Sequence, residues 1–156
     1  WVTASSGPLE EGVRLAVLFL VGRDLTTALW IGLGWAAIEV LYAIGNGFVL
    51  ASLAERTDPE AERARAMLPP AAFTAAGPWW GIVERMWASA VHIGFTLILA
   101  AAPLLVLVTA PVHTLLNLGL LRLMARMGLS SVSLAGIAIG GALLTIGFLL
   151  HQQPLR

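Results

Sequence analysis

The chain has 156 residues, of which 58% are hydrophobic and only 12% charged, and its 9 basic residues balance its 9 acidic ones. A soluble domain carries about 25% charged residues, so this is the composition of a membrane protein, and a neutral chain lacks the basic patch that a nucleic-acid partner needs. With no cysteine, a disulfide scaffold, a thiolate nucleophile and a thiolate metal site are all excluded.

Trp1 to Pro8 has no basic n-region and is not a signal peptide. Residues 1–156 therefore read as a single transmembrane domain, a fragment whose N-terminal helices lie upstream. The predicted fold class is all-α: a polytopic transmembrane helix bundle of five spans with one short interfacial helix. The first helix covers roughly Leu9 to Val21 and ends at the polar turn Gly22, Arg23, Asp24. The second runs from Leu25 to Leu53, longer than the roughly 20 residues that cross a bilayer, and its glycines, Gly32, Gly34, Gly45 and Gly47, suit close helix contacts. Residues 54–76 hold the one charged segment, Glu55 to Met67, read as a solvated loop or interfacial helix that starts at Asp58-Pro59-Glu60 and ends at Pro69-Pro70.

The third span runs from Pro78 to Ala102, with Trp79, Trp80 and Trp87 weighted to one end as interface anchors. After a turn at Pro103, the fourth covers Leu104 to Met124, with a bend expected at Pro111. A polar turn, Met127 to Ser133, leads to the fifth, Leu134 to Leu150. Arg56, Arg63, Arg65, Arg122 and Arg126 fall on one face of this bundle and Arg23 and Arg156 on the other, so the first face is expected in the cytoplasm.

Ionisable side chains inside such spans are rare and mark partners, ions or reactions. Those that stand out are Glu10, Glu11 and Arg14 on the first helix, Glu39 on the second, His92 on the third and His113 on the fourth, where the neutral Asn117 accompanies it. Counted from the less basic face at the helix rise, Glu11 lies roughly 16 Å deep and His92 and His113 about 15 Å deep. Glu39 and Asn117 lie about 21 Å deep, one turn further. Groups from separate helices at matching heights are expected to meet in the bundle interior. Spacing agrees: His113 and Asn117 share a face at i,i+4, and either Glu10 (i+4) or Glu11 (i+3) reaches Arg14, leaving the other carboxylate free.

These groups suit hydrolysis. A carboxylate takes a proton from water, histidines bind a metal or act as acids and donors without one, and Asn117 holds a histidine or an oxyanion. Any metal must use His92, His113 and a carboxylate, with Asn117 as a further donor. The blander alternative is a structural Glu11–Arg14 pair with His113 and Asn117 serving helix packing. A proton- or ion-coupled transporter would use similar groups, although no repeat is visible. No nucleotide loop, calcium loop or H-E-x-x-H is present.

The order Glu10-Glu11-Gly12-Val13-Arg14, then Glu84-Arg85 with His92, then His113-Thr114-Leu115-Leu116-Asn117 resembles the motifs of the YhfC family of intramembrane metalloproteases. That family is related to the CAAX prenyl endopeptidases and bacteriocin-processing proteases. The YhfC type also carries a stretch close to G-H-G-G-x-E on the next helix. Here Gly34-Trp35-Ala36-Ala37-Ile38-Glu39 keeps the glutamate and has Trp35 where the family has histidine.

The resemblance implies an intramembrane endopeptidase in a bacterial or archaeal cell membrane, acting on membrane-embedded proteins or lipidated peptides. Glu10 or Glu11 would activate water, Arg14 would orient the carboxylates, and Glu39 and Asn117 would complete the catalytic set. His92, His113 and Glu11 would hold a divalent metal such as zinc, or the histidines with Asn117 would hold the oxyanion in a metal-free, glutamate-type reaction. A catalytically degenerate scaffold is the reading that Trp35 favours.

Overall fold

The computed structural model describes residues 2–68 and 78–152, and these are almost wholly helical, with no strand among them. The helices are α1 (Val2–Val21), α2 (Leu25–Glu55), α3 (Pro59–Met67), α4 (Pro78–Ala101) and α5 (Val106–Gln152), with a 3-10 turn, Pro103–Leu105, before α5. The Pro69-Pro70 stop, the rest of the expected loop to residue 76, and Arg156 lie outside the described residues.

Four segments are long and apolar enough to cross a membrane: Leu25–Glu55, Trp79–Ala101, Pro103–Met124 and Arg126–Gln152. The expected count of five is thus four. The difference is α1, whose centre carries Glu10, Glu11 and Arg14 together. It starts earlier than expected and passes through Pro8 without a break. The expected turn at 127–133 shrinks to one residue. Gly128 (φ 79°, ψ 167°) is the only non-helical position inside α5, and the backbone torsions stay helical through Pro111. A positive φ suits glycine, which has no Cβ to clash.

Local capping explains the other boundaries. Asp24 caps α2 by accepting from the Thr27 amide, and the Thr27 hydroxyl and amide hold its carboxyl below the usual range. Asp58 caps α3 from the Ala61 amide. The Arg56 side chain, with that amide, holds Asp58 down at about 2. Arg65 on α3 turns back to donate to the carbonyls of Leu53 (3.0 Å) and Arg56 (2.9 Å), satisfying acceptors at the end of α2.

α4 is the central helix. It packs along α5 and against α2, while α1 lies on α5. Half of α4's most apolar stretch is buried inside the protein, against 6% for α2. One core joins Leu18, Ala28, Leu97, Leu99 and Ala100; a second joins Trp87, Val91, Phe95 and Val132. Gly7 sets the approach of α1 to α5. A Cβ there would fall 2.3 Å from the Ala110 carbonyl and from Thr114 Oγ1, so only glycine lets the backbones touch. One turn further along α1 come Glu10 and Glu11, and one turn further along α5 from Ala110 and Thr114 come His113 and Asn117.

Candidate functional site

Three helices deliver one polar cluster. α1 supplies Glu10, Glu11 and Arg14, α4 supplies His92, and α5 supplies His113. Glu11 and Arg14 are fully buried, and His92 and His113 nearly so. The layer expected from depth counting is present as direct contact: the His92 and His113 rings lie edge to face with centroids 5.6 Å apart.

The hydrogen bonds assign the protons. Arg14 donates through Nη1 to Glu11 Oε1. The same oxygen lies 2.7 Å from His113 Nδ1. A carboxylate only accepts, so Nδ1 donates, and a ring without a second proton has its lone pair on Nε2. Arg14 Nη2 lies 3.1 Å from His92 Nδ1. A guanidinium only donates, so His92 accepts at Nδ1 and keeps its proton on Nε2. The two histidines therefore present opposite faces: His113 a base, His92 a donor. Phe95 stacks on the His113 ring, centroids 5.2 Å apart, and fixes its plane.

Of the two carboxylates, Glu11 is the one committed to Arg14. Glu10 is the freer one: its Oε2 lies 3.7 Å from His113 Nε2, too far for a hydrogen bond. Glu10 Oε2 and Glu11 Oε2 are both buried with no hydrogen-bond partner. Buried carboxylate oxygens are normally satisfied by protein or water, so these two stand open to a further donor.

Trp35 is not a gap in the set. The Arg14 guanidinium lies 4.7 Å above its ring, a cation–π contact. Glu39 lies near enough to Glu10 to act on it electrostatically. Asn117 does not touch the histidines; it donates to Ser6 Oγ at 2.9 Å. Glu39, His92, His113, Asn117 and Ser6 all line one cavity of about 380 Å³, whose far wall is apolar (Leu116, Leu120, Val132, Ile139). Sequence reasoning missed Ser6 and Phe95. Ser6 lies one turn before Glu10, in a stretch too polar to be read as helix, and Phe95 lies one turn after His92.

The carboxylate grouped with the histidines is Glu10, not the expected Glu11: donor atoms of Glu10, His92 and His113 lie within 4.8 Å of one another. As hydrogen-bonded, however, these residues do not fit a three-ligand ion. Arg14 engages Nδ1 of His92, and its Nε2 carries the proton, leaving only Glu10 and His113 Nε2 with free electron pairs. A catalytic zinc takes three protein ligands, and the buried cation of Arg14 opposes a second one nearby. No protein-family model, curated protein or solved structure matches this chain.

Proposed function

We propose that the chain is an intramembrane hydrolase that cleaves peptide bonds of membrane-embedded or lipidated substrates with a water activated by Glu10 and His113. The observation that carries this reading is the chain of contacts from Arg14 through Glu11 to His113, which leaves the lone pair of Nε2 beside the unpartnered Glu10 Oε2. A water bridging two acceptors 3.7 Å apart donates to both. It gives one proton to His113 Nε2 or Glu10 as its oxygen bonds to the scissile carbonyl carbon. His92 Nε2–H and the free amide proton of Asn117 are the available donors for the oxyanion. On collapse the C–N bond breaks and the stored proton passes to the leaving nitrogen.

The order of the E-E-x-x-R, His and H-x-x-x-N motifs supports the same reading through the resemblance to the YhfC family. The four apolar helices suit a multi-pass protein of a bacterial or archaeal membrane. The buried relay Arg14–Glu11–His113 also suits proton transfer in a carrier, and the test separates the two.

The full chain is reconstituted in liposomes with a library of transmembrane peptides, and products are identified by mass spectrometry. Glu10→Gln and His113→Gln are expected to reduce cleavage at least about 100-fold while thermal unfolding still shows a folded protein. Cleavage at the wild-type rate in both variants sinks the proposal. Proton flux without cleavage assigns the carrier. Bound metal is quantified in the same samples: one divalent ion per chain, lost in His92→Ala/His113→Ala, would replace the metal-free version with a metal-dependent one.

A further inference from the structure

Trp87 is not the interface anchor expected of it. Trp79, at the same end of α4, is 69% exposed, whereas Trp87 is 8% exposed and belongs to the core with Val91, Phe95 and Val132. The fold makes room for its indole. A Cβ at Gly136 on α5 would fall 2.3 Å from Trp87 Cδ2 and 2.4 Å from Cε2, and one at Gly140 would fall 2.9 Å from the Trp87 carbonyl oxygen. Two glycines one turn apart thus seat this residue against the α5 backbone. The ring lines the inner cavity beside Leu116, Leu120, Val132 and Ile139. Its Nε1–H is buried and has no hydrogen-bond partner. A buried indole N–H normally finds an acceptor, and it can only donate. A lone water serves it poorly, since a buried water needs two to four polar partners and the four apolar neighbours offer none.

We propose that the apolar end of the cavity binds a main-chain amide flanked by apolar side chains, and that Trp87 Nε1–H donates to its carbonyl. The inference rests on the hydrolase reading and names what that cavity holds beyond the scissile bond. A peptide unwound inside a membrane exposes carbonyls that no water satisfies, so one buried donor among apolar walls suits it. Height agrees as well. Trp87 lies five residues before His92 on α4, about 7.5 Å along the axis. An extended peptide repeats every two residues, about 6.5–7 Å. A carbonyl held at His92 Nε2–H therefore has its counterpart two residues along at the level of Trp87. Trp87 is a positioning residue in this reading: it holds the chain in register and touches no reacting atom.

The probe is N-isobutyl isovaleramide, a single amide between two leucine-like ends, set against the trans-alkene of the same skeleton with CH=CH in place of CO–NH. Both are titrated into the 15N-labelled full chain in lipid nanodiscs, and the indole N–H signals of its six tryptophans are followed by NMR. The signal lost in Trp87→Phe identifies Trp87, and the other indole signals show that this variant is folded. The amide is expected to move the Trp87 signal downfield to saturation, and the alkene is not. Trp87→Phe is expected to weaken the amide about fivefold, the effect of one hydrogen bond, and to leave the alkene unchanged. A Trp87 signal that ignores saturating amide overturns the proposal, and this comparison needs no variant. Equal weakening of both probes in Trp87→Phe also overturns it, because the ring's packing would then carry the binding. The Ser133 hydroxyl, next to Val132, is likewise buried without a partner. Ser133→Ala is expected to leave the Trp87 signal of the free chain in place; a shift there would assign the indole to Ser133 and overturn the proposal. No step of this test needs turnover. Amide binding at Trp87 without cleavage of any transmembrane peptide would sink the hydrolase reading and keep the Trp87 contact, and cleavage with no amide response would do the reverse.

Discussion

Arg14 touches Glu11, His92 and the Trp35 ring at once. Removing one partner of a buried pair leaves the other charge uncompensated. Arg14→Leu is therefore expected to lower stability by about 3–5 kcal/mol. Arg14→Lys is expected to recover only part of it, because an ammonium lacks the planar fork that serves two acceptors and a ring together. Thermal unfolding in detergent measures both, and equal stability of Arg14→Leu and wild type would show that the pair carries no weight. That a carboxylate meets Arg14 was legible in the sequence, because Glu10 at i+4 and Glu11 at i+3 both reach it. The role of Trp35 was not. Set beside the motif it looked like a missing histidine, and only its position over Arg14 reveals a side chain that holds the guanidinium. The division of labour between Glu10 and Glu11 was likewise open, because adjacent residues on a helix point about 100° apart and the sequence does not say which direction His113 comes from.

At the scale of elements, glycine separates contact faces from open ones. On α4, a Cβ at Gly94 would lie 2.7 Å from Leu143 Cβ and 2.8 Å from the Leu143 backbone. On α2, Gly34 and Gly45 have open space. Gly94→Ala is expected to destabilise the α4–α5 contact by about 1–3 kcal/mol, the usual effect of overpacking. Gly45→Ala is expected to be neutral or to stabilise by up to about 1 kcal/mol, since alanine loses less backbone entropy in a helix. Unfolding of the two variants side by side checks the contrast, and a reversed order would mean that α2, not α4, holds the tight interface. The sequence pointed to the glycines of α2 as contact sites, and only Gly32 is one. A helix that is apolar all round carries no stripe to show which face meets protein. The same limit explains the expected turn at 127–133. Serines there resembled a loop, yet Ser133 is fully buried within the second arm of α5, and only Gly128 leaves helical geometry.

For the whole molecule, α1 is the exception that orders the rest. Its companions are long and apolar enough to cross a membrane on composition alone, whereas α1 carries Glu10, Glu11 and Arg14 at its centre. Charged residues at mid-span cost about 2.5–3.5 kcal/mol each on insertion scales, so three outweigh what the apolar half of α1 gains. Its compensation comes from far along the chain: His92 lies 78 residues from Arg14, and His113 lies 102 from Glu11. The matched depths of these groups were legible because helix rise is constant; the dependence of α1 on them follows from the contacts. Docking of α1 therefore has to wait for α5. Val13 tests this, since it is half exposed on the outward side of α1, where lipid would cover it in the finished bundle. In the full chain, the Val13→Cys thiol is expected to resist a water-soluble maleimide. In a chain ended at Leu105, which lacks α5 and His113, the same thiol is expected to label at least tenfold faster. Replacing Glu10, Glu11 and Arg14 by Leu in that shortened chain should restore protection, because the segment then inserts without partners. Equal protection of the shortened and full chains would mean that α1 enters the membrane on its own, and that the polar cluster forms between helices already in place.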